Sequence, residues 1–336
     1  MAVSLNRRNV LKGALGVFAT WASSRVLCAQ QAFGGVRRLT DQMTVVDGGG
    51  SNVLAFFTGE GVVLVDGGAP KSFDTIMASL GANARVNTLF NTHHHVDQTG
   101  NNEMFSTEAQ GTPLGRPAQA GRRASAGSSR RMATRPSGRT AIIAHKRTLE
   151  WMSADHWMQA DDRFEKARPK GARPTETFLT TGSLKTGGEQ IDFGYLPLAH
   201  TNGDIYVHFR NANVLAVGDV ASPLRDPALD YLTGAWIGGR VDAMDVLLAL
   251  ANEQTRIVPA YGPVLSKAEF KAERDMMEEV RKRLFDQVRE GDGPKDMLER
   301  GVLKGLARSW NDPYKFLYDA AKGLWAHHDK LGPNVV

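Results

Sequence analysis

Three consecutive histidines, His93 to His95, begin two residues after a short apolar segment that is predicted to be a strand over residues 88–91. The chain contains only nine histidines, so a third of them lie at one point of the sequence. In an extended segment alternate side chains share a face, which predicts that His93, His95 and Asp97 point one way and His94 the other. Two imidazoles and a carboxylate suit zinc or a similar divalent metal; the alternative is a solvated polar loop.

Two further stretches place metal-ligand residue types at the ends of predicted strands. His200 follows an apolar segment in LAHTNGD, and Asp219 ends the segment VLAVGD. Polar residues at strand ends, above an apolar framework, are how a rigid scaffold presents a binding site. The two stretches therefore strengthen the prediction of a metal centre.

The rest of the sequence predicts many strands with interspersed helices and a helical segment at the end. Its 336 residues suffice for one large domain or two small ones. Short apolar runs between turn residues predict the strands, and apolar spacing of three and four residues predicts the helices. Strands are predicted at 53–57, 61–66, 88–91, 141–144, 176–180, 190–193, 195–199, 204–209, 213–217 and 256–259, and helices at 71–80 and from 267 onward.

The N-terminal segment LNRRNVLKGALGVFATWASSRVLCAQ resembles a twin-arginine export signal. Arg7 and Arg8 precede a modest apolar stretch, and small residues near Cys28 fit cleavage after about Ala29. The resemblance implies that residues 1–29 are a signal peptide and that the mature protein is periplasmic, with no cysteine left to ligate a metal. No apolar run approaches the roughly 20 residues of a membrane-spanning helix, so we expect no membrane anchor in the mature chain. The alternative is a basic amphipathic N-terminal helix.

The positive charge of the chain is concentrated in two segments. Residues 1–29 carry four basic groups and residues 109–140 carry seven arginines, and neither segment contains an acid. The formal net charge of +5 therefore leaves −6 for the remainder, and we expect no nucleic-acid partner. Residues 105–140 have few large apolar side chains and are predicted to be a disordered basic insert; a basic arm for an anionic partner is the alternative.

The motifs HHHVDQTGNN, AHTNGD and VLAVGD resemble, in this order, the successive metal motifs of the metallo-β-lactamase superfamily. The early hairpin ending in LVDGG is similar to the opening strands of that family. The resemblance covers residues 40–265. It implies an α+β fold, a four-layer αβ/βα sandwich with the site at one edge, followed by a helical C-terminal extension over residues 266–336.

The resemblance also implies the site residues. Three histidines match the ligands of the first metal site: His93, His95 and His200. Asp97 matches a ligand of the second metal, and Asp219 matches the carboxylate that bridges both metals. His94 lies between two ligands and matches no ligand position.

The sequence departs from the family pattern at the second metal site. Gln98 stands where a histidine usually follows the aspartate, and Tyr261 stands where the family usually has its last histidine. A glutamine oxygen is a weaker ligand than imidazole, and a phenol with a pKa near ~10 must lose a proton to bind well. Gln98 is therefore a weakened candidate ligand, and we expect one tightly bound zinc ion, with a second weak or absent.

The resemblance implies a metal-dependent hydrolase that uses metal-activated water on an ester, thioester, lactone or lactam bond of a small molecule. One zinc ion suffices, because three imidazoles leave a fourth coordination position for water. We expect Asp97 to orient that water and accept its proton, and Tyr261 to donate a hydrogen bond to the developing oxyanion.

Two other functions remain open at this point. The degraded second site favours a non-catalytic metal-binding or partner-binding protein on the same fold. The basic insert favours a nuclease or phosphodiesterase. The sequence indicates no oligomeric state.

Overall fold

The computed structural model describes residues 35–81, 83–108, 139–158 and 163–328. The predicted signal peptide lies outside these residues, as does most of the segment 105–140. The described strands are β1 Arg37–Thr40, β2 Met43–Asp47, β3 Asn52–Phe57, β4 Val62–Val65, β5 Val86–Phe90, β6 Ala141–His145, β7 His156–Met158, β8 Arg163–Glu165, β9 Glu176–Phe178, β10 Thr181–Thr186, β11 Glu189–Tyr195, β12 Ile205–Phe209, β13 Val214–Gly218 and β14 Arg256–Pro259. The described α-helices are α1 Phe73–Leu80, α2 Val96–Thr99, α3 Asn102–Glu108, α4 Lys146–Ser153, α5 Ile237–Leu250, α6 Lys267–Glu290, α7 Pro294–Glu299 and α8 Pro313–His328.

Two large sheets pack face to face, and helices cover both outer faces. The seven-stranded sheet has the order β1-β2-β3-β4-β5-β6-β9, the five-stranded sheet has the order β10-β11-β12-β13-β14, and β7 pairs with β8 in a separate hairpin. Side chains of both sheets form the inner layer; the rings of Phe90 and Phe193, for example, have centroids 5.1 Å apart. Helices α1 and α3 cover the first sheet, and α5, α6 and α8 cover the second. The predicted four-layer αβ/βα sandwich is confirmed.

Strand β4 shows how the sequence produces this layering. Val63 and Val65 pack towards the second sheet, whereas Val62 and Leu64 pack on the outer face with α1. Successive side chains of a strand point to opposite faces, so a strand that is buried on both faces needs an uninterrupted apolar run. The segment VVLV provides that run.

The region around β11 differs from its prediction. The two strands predicted at 190–193 and 195–199 are a single strand, β11, followed by a loop. The loop turns at Leu198, whose φ is +55°, and the Leu196 N–H donates to the Asp204 carbonyl. Strand β10 is absent from the predictions because TGSLKT is a partly exposed edge strand without an apolar run. The short strands β1, β2, β7 and β8 are absent from them too.

The segment predicted as a disordered insert, residues 105–140, packs on the core at both ends. The Phe105 ring lies against Phe73, with centroids 5.0 Å apart. The buried Thr140 hydroxyl lies 2.7 Å from the Val86 carbonyl and 2.8 Å from the Phe105 carbonyl, so it tethers both ends to β5.

The C-terminal region is helical, as expected. Helix α6 begins with a capping box, in which Ser266 Oγ accepts the Glu269 N–H and the Glu269 carboxylate accepts the Ser266 N–H. It ends at Gly291, whose left-handed φ of +85° favours glycine. None of the described helices is both long enough and apolar enough to cross a membrane.

Candidate metal centre

Loops at one edge of the two sheets carry the candidate ligands. His93 lies in the turn after β5, and His95 is the N-cap residue of α2. His200 lies in the loop between β11 and β12, and Asp219 follows β13 directly. The structure therefore brings together residues that are more than 100 positions apart in sequence.

The three histidines predicted for the first metal site converge. Each offers one ring nitrogen, and these nitrogens all lie within 4.8 Å of one another. His95 Nδ1 and His200 Nε2 are 3.0 Å apart, and the His93 ring stands nearly perpendicular to both neighbouring rings. Metal–nitrogen bonds of ~2.0–2.1 Å can span such a group.

Each histidine has an inner ring nitrogen, which faces the other two histidines, and an outer one, which faces away. The outer nitrogen of His93, Nδ1, contacts a hydrogen-bonded chain that begins at Asp66. Thr92 Oγ1 lies 2.8 Å from Asp66 Oδ2, and His93 Nδ1 lies 3.1 Å from Thr92 Oγ1. The carboxylate accepts the hydroxyl proton, so the His93 Nδ1–H donates to the hydroxyl oxygen. This leaves the lone pair on His93 Nε2, a buried atom with no hydrogen-bond partner among the described residues.

The outer nitrogens of the other two histidines bind acceptors that carry no hydrogen. His200 Nδ1 lies 2.9 Å from the Ala228 carbonyl, and His95 Nε2 lies 3.1 Å from Asp230 Oδ2. Both outer nitrogens must therefore donate, as the outer nitrogens of metal-ligating histidines almost always do. The lone pairs of His95 Nδ1 and His200 Nε2 consequently face each other at 3.0 Å, which is stable only with a cation between them, a proton or a metal ion.

The protonation of the histidines agrees with this arrangement. Burial lowers the pKa of His93 well below its ordinary value, and burial together with the nearby His95 lowers the pKa of His200 to about 4. Burial also acts on His95, but the hydrogen bond and charge of Asp230 outweigh it and raise its pKa. His93 and His200 are therefore neutral, the form that binds a metal.

Local hydrogen bonds hold the His200 loop in place. The buried Asp204 carboxylate accepts the N–H groups of His200 and Thr201 at 2.6 and 2.8 Å and the Thr201 hydroxyl at 2.7 Å. Asp204, the last residue of AHTNGD, thus closes the turn by binding His200 and Thr201. A rigid turn of this kind sets the position of the His200 ring.

The carboxylates of the second metal site lie beside the histidines. Asp219 Oδ2 is 3.5 Å from His93 Nε2 and 3.9 Å from His200 Nε2. Burial and the charge of Asp97 raise the pKa of Asp219 to about 7. The Asp97 carboxylate accepts a hydrogen bond from the Tyr261 hydroxyl.

Three side chains distinguish the second position from the three-histidine site. Burial and Asp97 raise the pKa of Tyr261 above its ordinary value, so the phenol stays protonated. The guanidinium carbon of the exposed Arg225 lies 3.3 Å from the centroid of the Tyr261 ring, which adds a positive charge there. Gln98 is fully buried, and its side-chain amide has no hydrogen-bond partner among the described residues. The three histidines thus fit a metal ion, whereas the protonated Tyr261 phenol and the guanidinium beside it disfavour a cation at that position.

The predicted alternation of side chains after the histidines is wrong. Helix α2 begins at Val96, so Asp97 lies in its first helical turn and not on an extended segment with His93. His94, predicted to face away from the site, is buried; its Nε2 is 3.7 Å from Asp230 Oδ2 and its ring packs on Trp151.

Sequence analysis missed Asp230, which contacts two histidines. His94, His95 and Asp230 form a second group that could hold a metal ion. His95 cannot serve both groups as a neutral ligand, because its Nε2 carries the proton that Asp230 accepts. Asp230 belongs to the stretch DPALD, which contains no metal-binding motif, so only its position in the fold reveals it.

A model of the metallo-beta-lactamase superfamily matches residues 46–260. The chain belongs to this superfamily. A search of curated proteins gives no match. Among solved structures, the metallo-beta-lactamase from Pontibacter korlensis is 17% identical, with 73% of this chain and 98% of that chain covered and a TM-score of 0.51.

Two other solved structures show comparable similarity. For metallo-beta-lactamase IND-7 the identity is 19%, the coverage is 73% of this chain and 97% of that one, and the TM-score is 0.50. For a double mutant of the sec-alkyl sulfatase PisA1 the identity is 9%, the coverage is 88% and 50%, and the TM-score is 0.57. At these identities the similarity shows the fold alone.

Proposed function

We propose that the protein is a metal-dependent hydrolase that holds one divalent metal ion tightly, and that this ion is zinc. Its substrate would be a small molecule with an ester, thioester, lactone or lactam bond. The observation that carries the proposal is the convergence of three ring nitrogens: His95 Nδ1 and His200 Nε2 lie 3.0 Å apart, and the buried His93 Nε2 beside them has no hydrogen-bond partner among the described residues. All-nitrogen ligand sets of this kind suit zinc.

The histidines would hold the metal ion, and the outer hydrogen bonds would fix their orientation. A bound zinc ion supplies Lewis-acid chemistry, that is, activation of a water molecule and polarisation of the scissile bond. Asp97 would orient a water molecule and take its proton, and its Oδ2 accepts a hydrogen bond from the Tyr261 hydroxyl. Tyr261 fixes this carboxylate, and its role as donor to an oxyanion stays a prediction.

A single metal ion is favoured over two for an electrostatic reason. Arg225 carries a fixed positive charge beside Tyr261, and the repulsion between like charges a few ångströms apart reaches about 1 kcal/mol even in bulk water. In addition, the Tyr261 hydroxyl donates a hydrogen bond to Asp97, a carboxylate that a second metal ion would need as a ligand.

Metal analysis and a substrate screen together test the proposal. The purified full-length protein is stripped with a chelator, titrated with Zn²⁺, and assayed against esters, thioesters, lactones, β-lactams and a phosphodiester. His200→Ala is the test variant, and His328→Ala, which removes an exposed histidine of α8, is the matched control. We expect the parent and the control to bind about one zinc ion per chain and to hydrolyse a substrate only when zinc is bound. We expect His200→Ala to show neither zinc binding nor hydrolysis.

Each other outcome supports a different function. Tight zinc binding without turnover on any substrate would support the non-catalytic metal-binding protein. Phosphodiester turnover that is lost on deletion of residues 110–138 would support the nuclease. The absence of zinc binding would contradict the proposal altogether. Export to the periplasm rests on the N-terminal sequence and is proposed on that ground.

A further inference from the structure

The segment 219–230, called the site loop below, supplies three groups of the metal centre. Asp219 lies beside His93 and His200. The Ala228 carbonyl accepts the Nδ1–H of His200, and Asp230 accepts the Nε2–H of His95. The position of this loop therefore sets the orientation of two of the three proposed ligands.

A buried arginine of α5 binds the site loop from within. Arg240 has a relative exposure of 0%, and its Nη1 donates to the Ala228 carbonyl at 3.2 Å. Its Nη2 donates to Ser222 Oγ at 2.8 Å. Arg240 and His200 thus share the Ala228 carbonyl, which both fixes that oxygen and connects the arginine to a proposed ligand.

Helix α6 and the segment between α7 and α8 also bind the site loop. Glu273 of α6 accepts the Ser222 N–H at 2.7 Å and lies 3.9 Å from Arg240 Nη2. Arg308 donates to the Ser222 and Arg225 carbonyls. The carboxylate of Asp226 accepts the N–H groups of Asn311 and Asp312 at 2.7 to 3.1 Å.

The family match ends at residue 260, before all four of the C-terminal residues that bind the site loop: Glu273, Arg308, Asn311 and Asp312. A buried ion pair such as Arg240–Glu273 is weak evidence for stability, because desolvation of the two charges opposes their attraction. Its contacts here are directed at the site loop and not at the solvent. A role in the site therefore explains the pair better than a contribution to stability does.

We propose that Arg240 and Glu273 are positioning residues of the metal site, and that helix α6 is through Glu273 a working part of it. Arg240 holds the Ala228 carbonyl at the place where it orients His200. Glu273 holds Arg240 and the Ser222 backbone. This inference rests on the proposed metal binding at His93, His95 and His200.

The test compares two ion pairs between α5 and α6 in the full-length protein. Arg240→Met breaks the pair at the site loop, and Arg274→Met breaks the Asp245–Arg274 pair, whose bidentate 2.7 Å contacts join the same helices away from the loop. Arg240→Lys and Glu273→Gln are the milder variants, in case Arg240→Met fails to fold. Three quantities are measured: the Zn²⁺ dissociation constant by chelator competition, the Co²⁺ absorption spectrum, and the unfolding transition of the metal-free protein.

We expect Arg240→Met and Glu273→Gln to weaken Zn²⁺ binding by about tenfold, the lower end of the effect of groups that orient metal ligands. We expect the Co²⁺ absorption spectra of these two variants to differ from that of the unmodified protein. Arg240→Lys keeps the charge but cannot reach two acceptors with a planar fork, so it should recover the affinity only in part. Arg274→Met should shift unfolding without changing affinity or spectrum.

Two results would overturn the inference in distinguishable ways. If the unmodified protein binds no metal, the proposed function fails and this inference fails with it. If the unmodified protein binds Zn²⁺ and all four variants bind it equally well with the same Co²⁺ spectrum, only the positioning role fails. Arg240 and Glu273 would then serve stability alone.

Discussion

Replacement of Asp230 by alanine should weaken metal binding while it leaves the three histidine ligands in place. Asp230 Oδ2 is 3.1 Å from His95 Nε2, and the hydrogen bond and charge of His95 outweigh burial and lower the pKa of Asp230. The bond is therefore one between an imidazole N–H and a charged carboxylate. Its loss frees the His95 ring to rotate and to change tautomer.

Two independent arguments give the magnitude. Loss of a group that orients a metal ligand typically reduces metal affinity by about 10- to 100-fold. At about 1.4 kcal/mol for each factor of ten, this corresponds to about 1.4–2.8 kcal/mol. Removal of a hydrogen bond to a charged group costs about 1.5–3 kcal/mol. The two ranges agree, so we expect a loss near the middle of them, about 30-fold.

The assay is competition between the protein and a chromophoric chelator for Zn²⁺. Without Asp230 the pKa of His95 falls, which by itself favours metal binding; a measurement at alkaline pH, where more of His95 is already neutral, reduces this effect. Asp230→Asn keeps an acceptor oxygen without the charge and should lie between the parent and Asp230→Ala. Asp192→Ala, a carboxylate of β11 outside the site, is the control. Parent-like affinity of Asp230→Ala would refute the reasoning.

Three further variants test other parts of the structure. His200→Ala removes one of three ligands and should abolish most retained metal in elemental analysis; stoichiometric metal in this variant would rule out the proposed ligand set. Gln98→His combined with Tyr261→His replaces two weak ligands by imidazoles and should raise the metal content from about one towards two, unless the parent already holds two. Burial lowers the pKa of His145, whose Nδ1 accepts the Arg147 N–H at the start of α4. As the pH falls, the His145 imidazole is therefore protonated first in the unfolded chain, so the free energy of unfolding falls as the pH drops below about 6.5. Asparagine can cap α4 but does not titrate. The free energy of unfolding of His145→Asn, measured with denaturant, should therefore fall less.

The sequence alone predicted the fold class and the proposed first-site ligands, through the resemblance of its ordered motifs to those of the metallo-β-lactamase superfamily. Apolar runs such as VVLV require burial on both faces, and HHHVDQTGNN and AHTNGD carry their ligand residues within a few positions of one another. Local patterns of this kind depend on short-range geometry. Such patterns can therefore be recognised in the sequence without knowledge of the tertiary structure.

Only the tertiary structure decided which groups orient those ligands. His95 and Asp230 are 135 positions apart, Asp97 and Tyr261 are 164 apart, and Arg240 reaches His200 through the carbonyl of Ala228. The helical turn that redirects Asp97 likewise follows from where α2 begins after the histidines. A hydrogen bond requires two groups within about 3 Å, and sequence patterns fix such distances only between near neighbours. For distant pairs the packing of the two sheets and the C-terminal helices sets the distance.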